Sequence, residues 1–192
     1  LDEDRITQFL NVASKNAANT FNLLENLLSW ALSQQGKIEC VPAQNLINPV
    51  IEDIIELYEE KAGQKQIDLS FTNDKEYYAF FDADLITTVI RNLVSNALKF
   101  TDKNGKVSVE IEENNSHVTV KVKDTGVGIS QENIDKILES TSHYSTYGTG
   151  NEKGSGLGIM ICKEFIEKNN GELTIESTPD KGSTFAFTLP VK

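Results

Sequence analysis

The sequence predicts an α+β fold, a mixed sheet with helices on one of its faces in two layers, preceded by a long amphipathic helix. Three observations carry this. Residues 2–35 contain neither Pro nor Gly, short alternating apolar runs recur from Ile67 onward, and the helical stretches between those runs have one apolar stripe each. At 192 residues the chain buries a real core, with length for one domain plus a smaller element.

The long helix comes first. Ile6, Leu10, Ala13, Ala17, Thr20, Leu24, Leu27 and Ala31 are spaced alternately four and three apart, a heptad seam on a helix of about 50 Å. A lone helix of that length cannot bury its seam within a small domain. The pattern therefore predicts a helical hairpin or a dimeric bundle, with Phe9, Leu23, Leu28 and Trp30 widening the apolar face. Gly36 is placed to end the helix, which sets the expected boundary between a helical segment at 1–36 and a second domain at 37–192.

Beyond it, Ile38 to Val41 read as a short extended piece, and Leu46, Val50, Ile54 and Leu57 as one face of a helix from about Asn45 to Lys61, ended by Gly63. Ile67, Leu69 and Phe71 alternate as a strand, Tyr77 to Phe81 make another, and Asn73 and Asp74 supply a turn between them. Asp82 or Asp84 caps a helix from Leu85 to Phe100. Its core stripe is Ile86, Ile90, Leu93 and Ala97. Asn92, Asn96 and Lys99 share the adjacent stripe, and two asparagines on one helix face need a reason because asparagine is a poor interior helix former; a solvated polar face is one, though such faces favour Glu, Lys and Gln.

Strands from Val107 to Glu112 and His117 to Lys123 follow, joined by a turn at Asn114 and Asn115. The second delivers Asp124 to its end, where Gly126 and Gly128 break the strand and admit a flat ligand against bare backbone. A carboxylate there accepts hydrogen bonds and donates none, which suits the exocyclic amine of adenine and repels the carbonyl of guanine. Taken alone, an Asp followed by such glycines is also ordinary turn chemistry.

A helix from Gln131 to Leu138 leads into a polar stretch, Glu139 to Lys153, from which no core can be built; it reads as a lid over about 139–157 or a disordered segment. It ends in GSGLG at 154–158, immediately before an amphipathic helix from Ile159 to Lys168. Glycine amides aimed along a helix N-terminus make an anion site fit for phosphates. Neither the P-loop nor the dinucleotide fingerprint has this spacing. Glu172 to Ser177 and Ser183 to Leu189 close the chain as a hairpin.

Charge narrows the partners. Lys and Arg total 18 against 29 Asp and Glu, a net charge of −11, so nucleic acid and anionic membrane surfaces are unsuitable, and a polyphosphate needs local help from lysines, helix N-termini or Mg²⁺. Two well-separated cysteines, Cys40 and Cys162, and no long apolar run suggest a reducing, cytoplasmic setting.

Together these motifs resemble the catalytic and ATP-binding half of sensor histidine kinases, on the Bergerat-type ATP fold shared with Hsp90, MutL and type II topoisomerases. RNLVSNALKFT at 91–101 matches the asparagine box, DTGVG at 124–128 the first glycine box, GSGLG at 154–158 the second and GSTF at 182–185 the third. The resemblance implies that Asn96 supplies its oxygen to Mg²⁺, that Asn92 and Lys99 help hold the triphosphate, and that Asp124 reads the adenine amine with Thr184 supporting it. Phe100 would pack near the nucleotide, Gly126 and Gly128 form the adenine-side turn, and Gly154, Gly156, Leu157 and Gly158 anchor the lid, from which Lys153 is a further phosphate candidate.

LSWALSQQGK at 28–37 resembles the end of the second helix of the dimerisation and phosphotransfer hairpin, whose acceptor histidine lies on the preceding helix. Neither His117 nor His143 has that context. The resemblance implies a homodimer through a helical bundle, a response-regulator receiver as phosphate recipient, and the cytoplasmic portion of a membrane-anchored sensor. The chain departs from the family in the lid, where ILEST at 137–141 replaces a phenylalanine-rich box. Two other readings remain in view: an ATPase of the same fold, and a non-catalytic nucleotide-sensing domain. Such an ATPase carries a glutamate base where this chain has Asn92, an amide that takes no proton at neutral pH.

Overall fold

The computed structural model describes residues 39–139, 148, 149 and 156–192, with Arg5, Phe9, Leu10, Ala13, Ala17, Thr20, Leu24, Leu27, Leu28, Ala31 and Gln35. It divides into two compact units, Leu1–Glu39 and Cys40–Lys192. In the first, every described residue from Arg5 to Ala31 is helical. Its seam faces solvent: Leu10 is 64% exposed, Leu24 56% and Leu27 45%. Gly36, the expected stop, lies outside the described residues. No helix among the described residues is long and apolar enough to cross a membrane.

The second unit runs β1 (Ala43–Leu46), α1 (Ile47–Lys65), β2 (Asp68–Phe71), β3 (Tyr78–Phe81), α2 (Ala83–Phe100), β4 (Lys106–Glu113), β5 (His117–Asp124), α3 (Gln131–Leu138), α4 (Gly158–Lys168), β6 (Leu173–Thr178) and β7 (Gly182–Pro190). Five strands form a mixed sheet in the order β2-β4-β5-β7-β6, parallel only between β2 and β4. One face is buried: Val107, Val109, Val118, Val120, Val122, Phe187 and Leu189 meet the helices. The alternate residues face water, where Lys121 and Lys123 pair with Glu112 and Glu110, contacts that at an exposed surface contribute about 1 kcal/mol or less. Against the buried face lie Leu85, Ile86, Val89, Ile90, Leu93 and Leu98 of α2 and Ile161, Phe165 and Ile166 of α4. Each such side chain stabilises the fold by about 1.5–3 kcal/mol, which fixes α2 in place and with it the polar stripe on its flank.

Several sequence expectations need correction. Residues 43–46, expected to be loop and helix start, form β1, which pairs antiparallel with β3 in a separate two-stranded sheet. The stretch at Asn73 and Asp74 thus links strands of two different sheets. It is held by Asn48, whose buried amide donates to Asn73 Oδ1 and the Lys75 carbonyl and accepts from Tyr77 N. Gly63 does not end α1. The helix runs on to Lys65 and stops at Gln66, whose left-handed φ of 57° lets its N–H reach the carbonyls of Ala62 and Gly63. A helical glycine costs only about 1 kcal/mol, which the packing of α1 offsets.

Candidate functional site

The site is assembled where the C-terminus of α2 meets the C-terminal end of β5. Asp82 starts α2: its Oδ1 accepts from the N–H groups of Asp84 and Leu85, and its own N–H donates to Asn169 Oδ1 at 2.7 Å, tying the helix start to the end of α4. The core stripe then leaves Asn92, Asn96, Lys99 and Phe100 half-buried on the flank. Asn92 Nδ2 donates to the Thr88 carbonyl at 2.9 Å, while its Oδ1 stands where a Cβ on Gly158 would come within 3.2 Å. Asn92 thus stands against the first residue of α4, where an added Cβ would need the amide to give by a few tenths of an ångström. Lys99 Nζ sits over the Phe100 ring, 4.7 Å from its centre.

The β5 end supplies the carboxylate. Asp124 Oδ1 accepts from Gly126 N at 2.8 Å, and a backbone hydrogen bond from Ser183 adds to it. Burial pushes the carboxyl above its ordinary range, and the two backbone donors pull it only partly back. The turn that follows is pressed on α2: Val127 N donates to the Phe100 carbonyl, and a Cβ at Gly126 would lie 2.2 Å from that carbonyl oxygen. Gly128 lies with its Cα hydrogen on the Thr178 carbonyl, and Gly182, at φ +96°, with its own on the Asp124 carbonyl. Side chains are excluded at these contacts because backbone occupies the space. An open pocket of about 200 Å³ lies at this corner, lined by Asp124, Ser177, Gly182, Ser183 and Thr184 among others.

One placement bears on the sequence reading of the third glycine box. Thr184 pairs with Lys123, whereas Ser183 pairs with Asp124; because side chains alternate along a strand, Ser183 shares the face of Asp124 and Thr184 the opposite one. By register it is Ser183 that stands opposite Asp124, while Thr184 lines the same pocket one step further along the strand. Its hydroxyl is 2.9 Å from Ser177 Oγ, which also accepts from Ile129 N and so holds the glycine turn to the closing hairpin. The motif at 182–185 was visible in sequence, but which hydroxyl faces inward depends on register. Gly156, Leu157 and Gly158 lie at the start of α4, with Leu157 buried. Gly154, Lys153 and His143 lie outside the described residues. His117 begins β5, its Nδ1 beside Ser116 Oγ, at the opposite end of that strand from Asp124.

Sequence reasoning missed Lys65 and Thr149. Lys65 Nζ donates to the carbonyls of Leu98 and Lys99, and Thr149 donates from its N–H to Lys99 O, with its hydroxyl 3.1 Å from the oxygens of both Lys99 and Thr101. No motif announces either.

Residues 81–192 match the family described as histidine kinase-, DNA gyrase B-, and HSP90-like ATPase. The chain belongs to this family. It is 32% identical to the adaptive-response sensory kinase SasA of Rippkaea orientalis over 99% of its own length and 50% of that protein. It therefore spans about half the length of this curated relative. The nucleotide-free catalytic domain of the histidine kinase ThkA superposes with a TM-score of 0.68 at 30% identity, covering 78% of this chain and 95% of that one. ThkA in complex with the response regulator protein TrrA shares the fold over the whole chain, with a TM-score of 0.77, 24% identity and 53% of that chain covered. The chain thus contains a sensor histidine kinase catalytic, ATP-binding domain, and the two-layer mixed sheet is the fold of that domain.

Proposed function

We propose that the chain binds Mg²⁺-ATP at the α2–β5 corner and transfers the γ-phosphate to a histidine supplied from outside this sequence, for onward transfer to a response regulator. The observation that carries the reading is the half-buried Asp124 carboxylate, bonded to Gly126 N in the turn that is pressed on Phe100 of the helix carrying Asn96. Asn96 stands one helical turn, about 6 Å, from Phe100. In this reading Asp124 accepts from the adenine amine, supported by Ser183, while Phe100 packs near the nucleotide on the Gly126 and Gly128 side.

Asn92, Asn96 and Lys99 hold the triphosphate, aided by the amides of the glycine box at 154–158. The chemistry of Asn96 fits a divalent ion, since its half-buried side-chain amide offers a hard oxygen, while Lys99 would meet phosphate rather than metal. Mg²⁺ bound at Asn96 would neutralise the phosphate charge; the chain's own residues orient the γ-phosphate for in-line attack by an imidazole nitrogen. The N–P bond forms as the bond to the β-phosphate oxygen breaks, ADP leaves, and the imidazole proton passes to solvent or an adjacent base. Asn92 in place of a carboxylate base supports phosphoryl transfer over water activation.

The exposed seam at Leu10, Leu24 and Leu27 supports a helical bundle between two copies, and the complex of ThkA with TrrA supports a receiver domain as partner. A cytoplasmic setting accords with both. Calorimetry tests the core of the reading. Mg²⁺-ATP should bind the parent chain, bind Asn96→Ala far more weakly, and lose affinity on removal of the ion. Binding indifferent to Asn96→Ala and to chelator would contradict it.

A further inference from the structure

An α-helix leaves its last four carbonyls without partners inside the helix. At the end of α2 all four are taken, by four separate means. Ala97 O accepts from the N–H and hydroxyl of its own cap, Thr101. Leu98 O accepts from Lys65 Nζ at 2.8 Å. Lys99 O accepts from Thr149 N at 3.1 Å, with Thr149 Oγ1 at the same distance and Lys65 Nζ at 3.3 Å. Phe100 O accepts from Val127 N in the glycine turn. The Thr149 hydroxyl also reaches Thr101 O at 3.1 Å and lies 3.3 Å from Lys65 Nζ. Three distant parts of the chain thus converge on one helix end, and that helix carries Asn92, Asn96, Lys99 and Phe100.

We infer that Lys65 and Thr149 form a positioning clamp that fixes the phosphate-side stripe of α2 relative to the segment following α3, and so sets affinity for the triphosphate rather than for the base. The inference rests on the proposed nucleotide site. Its physical basis is twofold. The Lys65 ammonium lies at the negative end of the α2 dipole, where a cation is favoured. The Thr149 hydroxyl and amide satisfy carbonyls that would otherwise be left to water. Two described residues also lie against α2, Thr149 on its C-terminus and Gly158, the first residue of α4, near Asn92. The base is held elsewhere, by Asp124 and the strands, so loosening the clamp leaves that contact intact.

The test compares Mg²⁺-ATP with adenosine, by calorimetry on the whole chain. Thr149→Val keeps the shape and removes the hydroxyl; Lys65→Met keeps the aliphatic stem and removes the charge. Each should weaken ATP about fivefold or more, the loss of one net hydrogen bond, while adenosine affinity stays within about twofold, a difference below half a kcal/mol. Thr149→Ser should restore ATP affinity. In the nucleotide-free chain, Lys65→Met should also speed exchange of the Thr149 amide.

Equal weakening of ATP and adenosine would reduce both residues to scaffold and overturn the clamp, as would a valine variant that binds ATP like the parent or a serine variant no better than valine. Asp124→Asn separates this from failure of the site itself. If it leaves both ligands bound as before, the base reading falls whatever the clamp variants do; if it abolishes both while the clamp variants bind normally, only the clamp falls.

Discussion

Substituting alanine at Gly126 and at Gly63 should shift stability in opposite directions, and the contrast tests how the glycine turn is built. A Cβ on Gly126 would meet the Phe100 carbonyl oxygen at 2.2 Å, its carbon at 2.8 Å and Asp124 Oδ1 at 2.9 Å. Two of those atoms are backbone at the end of a packed helix and cannot swing aside. Relief requires the turn to lift from α2, which breaks the Val127 to Phe100 hydrogen bond and disturbs the bond from Gly126 N to Asp124. Overpacking of this kind costs about 1–3 kcal/mol, and the lost hydrogen bond adds about 1 kcal/mol. Gly126→Ala should therefore destabilise the second unit by roughly 2–4 kcal/mol, lowering Tm by on the order of 5–15 °C for a domain of this size.

At Gly63, exposed and inside α1, an added Cβ meets nothing within 4 Å. Gly63→Ala should raise stability by about 0.5–1 kcal/mol through backbone entropy alone. Thermal and urea denaturation followed by circular dichroism read both. A Gly126→Ala variant as stable as the parent, or a Gly63→Ala variant less stable than it, would refute the steric account.

Other outcomes follow from the same geometry. Because burial holds the Asp124 carboxyl above the usual value of about 4, the contribution of this group to stability is fully present below that value. It is lost as pH rises through the raised folded value, since the ionised form is the costly one. Affinity for an adenine amine runs the other way and should fall as pH drops through the same window; an ATP affinity flat from pH 7 down to 4 would count against Asp124 as the acceptor. Asn169 is fully buried, with Oδ1 accepting from Asp82 N and Nδ2 donating to the Phe165 carbonyl. Asn169→Ala should cost about 1–3 kcal/mol by leaving the Asp82 N–H unpaired, the Phe165 carbonyl keeping its bond from the backbone N–H of residue 169, and a Tm within a degree of the parent would show the link to be dispensable. Cys162 is fully buried, and burial drives its thiol far above the usual range. It should resist alkylation at pH 8 in the folded protein and react on unfolding, whereas rapid native labelling would show α4 to open readily.

What the sequence disclosed and what it withheld divide along the line between local and distant contacts. The α2 stripe was legible because Ile86, Ile90, Leu93 and Ala97 repeat with the helical period, and all are buried. The β5 strand was legible because Val118, Val120 and Val122 alternate, and they too are buried. β1 was not, since its AQNL carries no alternation and gains its strand form only from β3, more than thirty residues away. The pairing of β2 with β4 rather than β3 is likewise a distant choice, made by the parallel register of Asp68 with Lys106.

At the candidate site, residue types drew notice to Asn92 and Asn96 on one helix face, with Lys99 on the same stripe, and Asp124 stood out by its place before two glycines. Ser183 was hidden by one step of register, and Lys65 by its place on the last turn of a helix whose expected end was Gly63. Thr149 was hidden in a polar stretch whose side chains show no period.

The most direct measurement is a crystal of the chain soaked with magnesium and a non-hydrolysable ATP analogue. The account predicts the exocyclic amine of the purine within hydrogen-bond distance of the Asp124 carboxylate, and the metal ion on the side-chain oxygen of Asn96. A purine seated away from Asp124, or an ion held without Asn96, would contradict it.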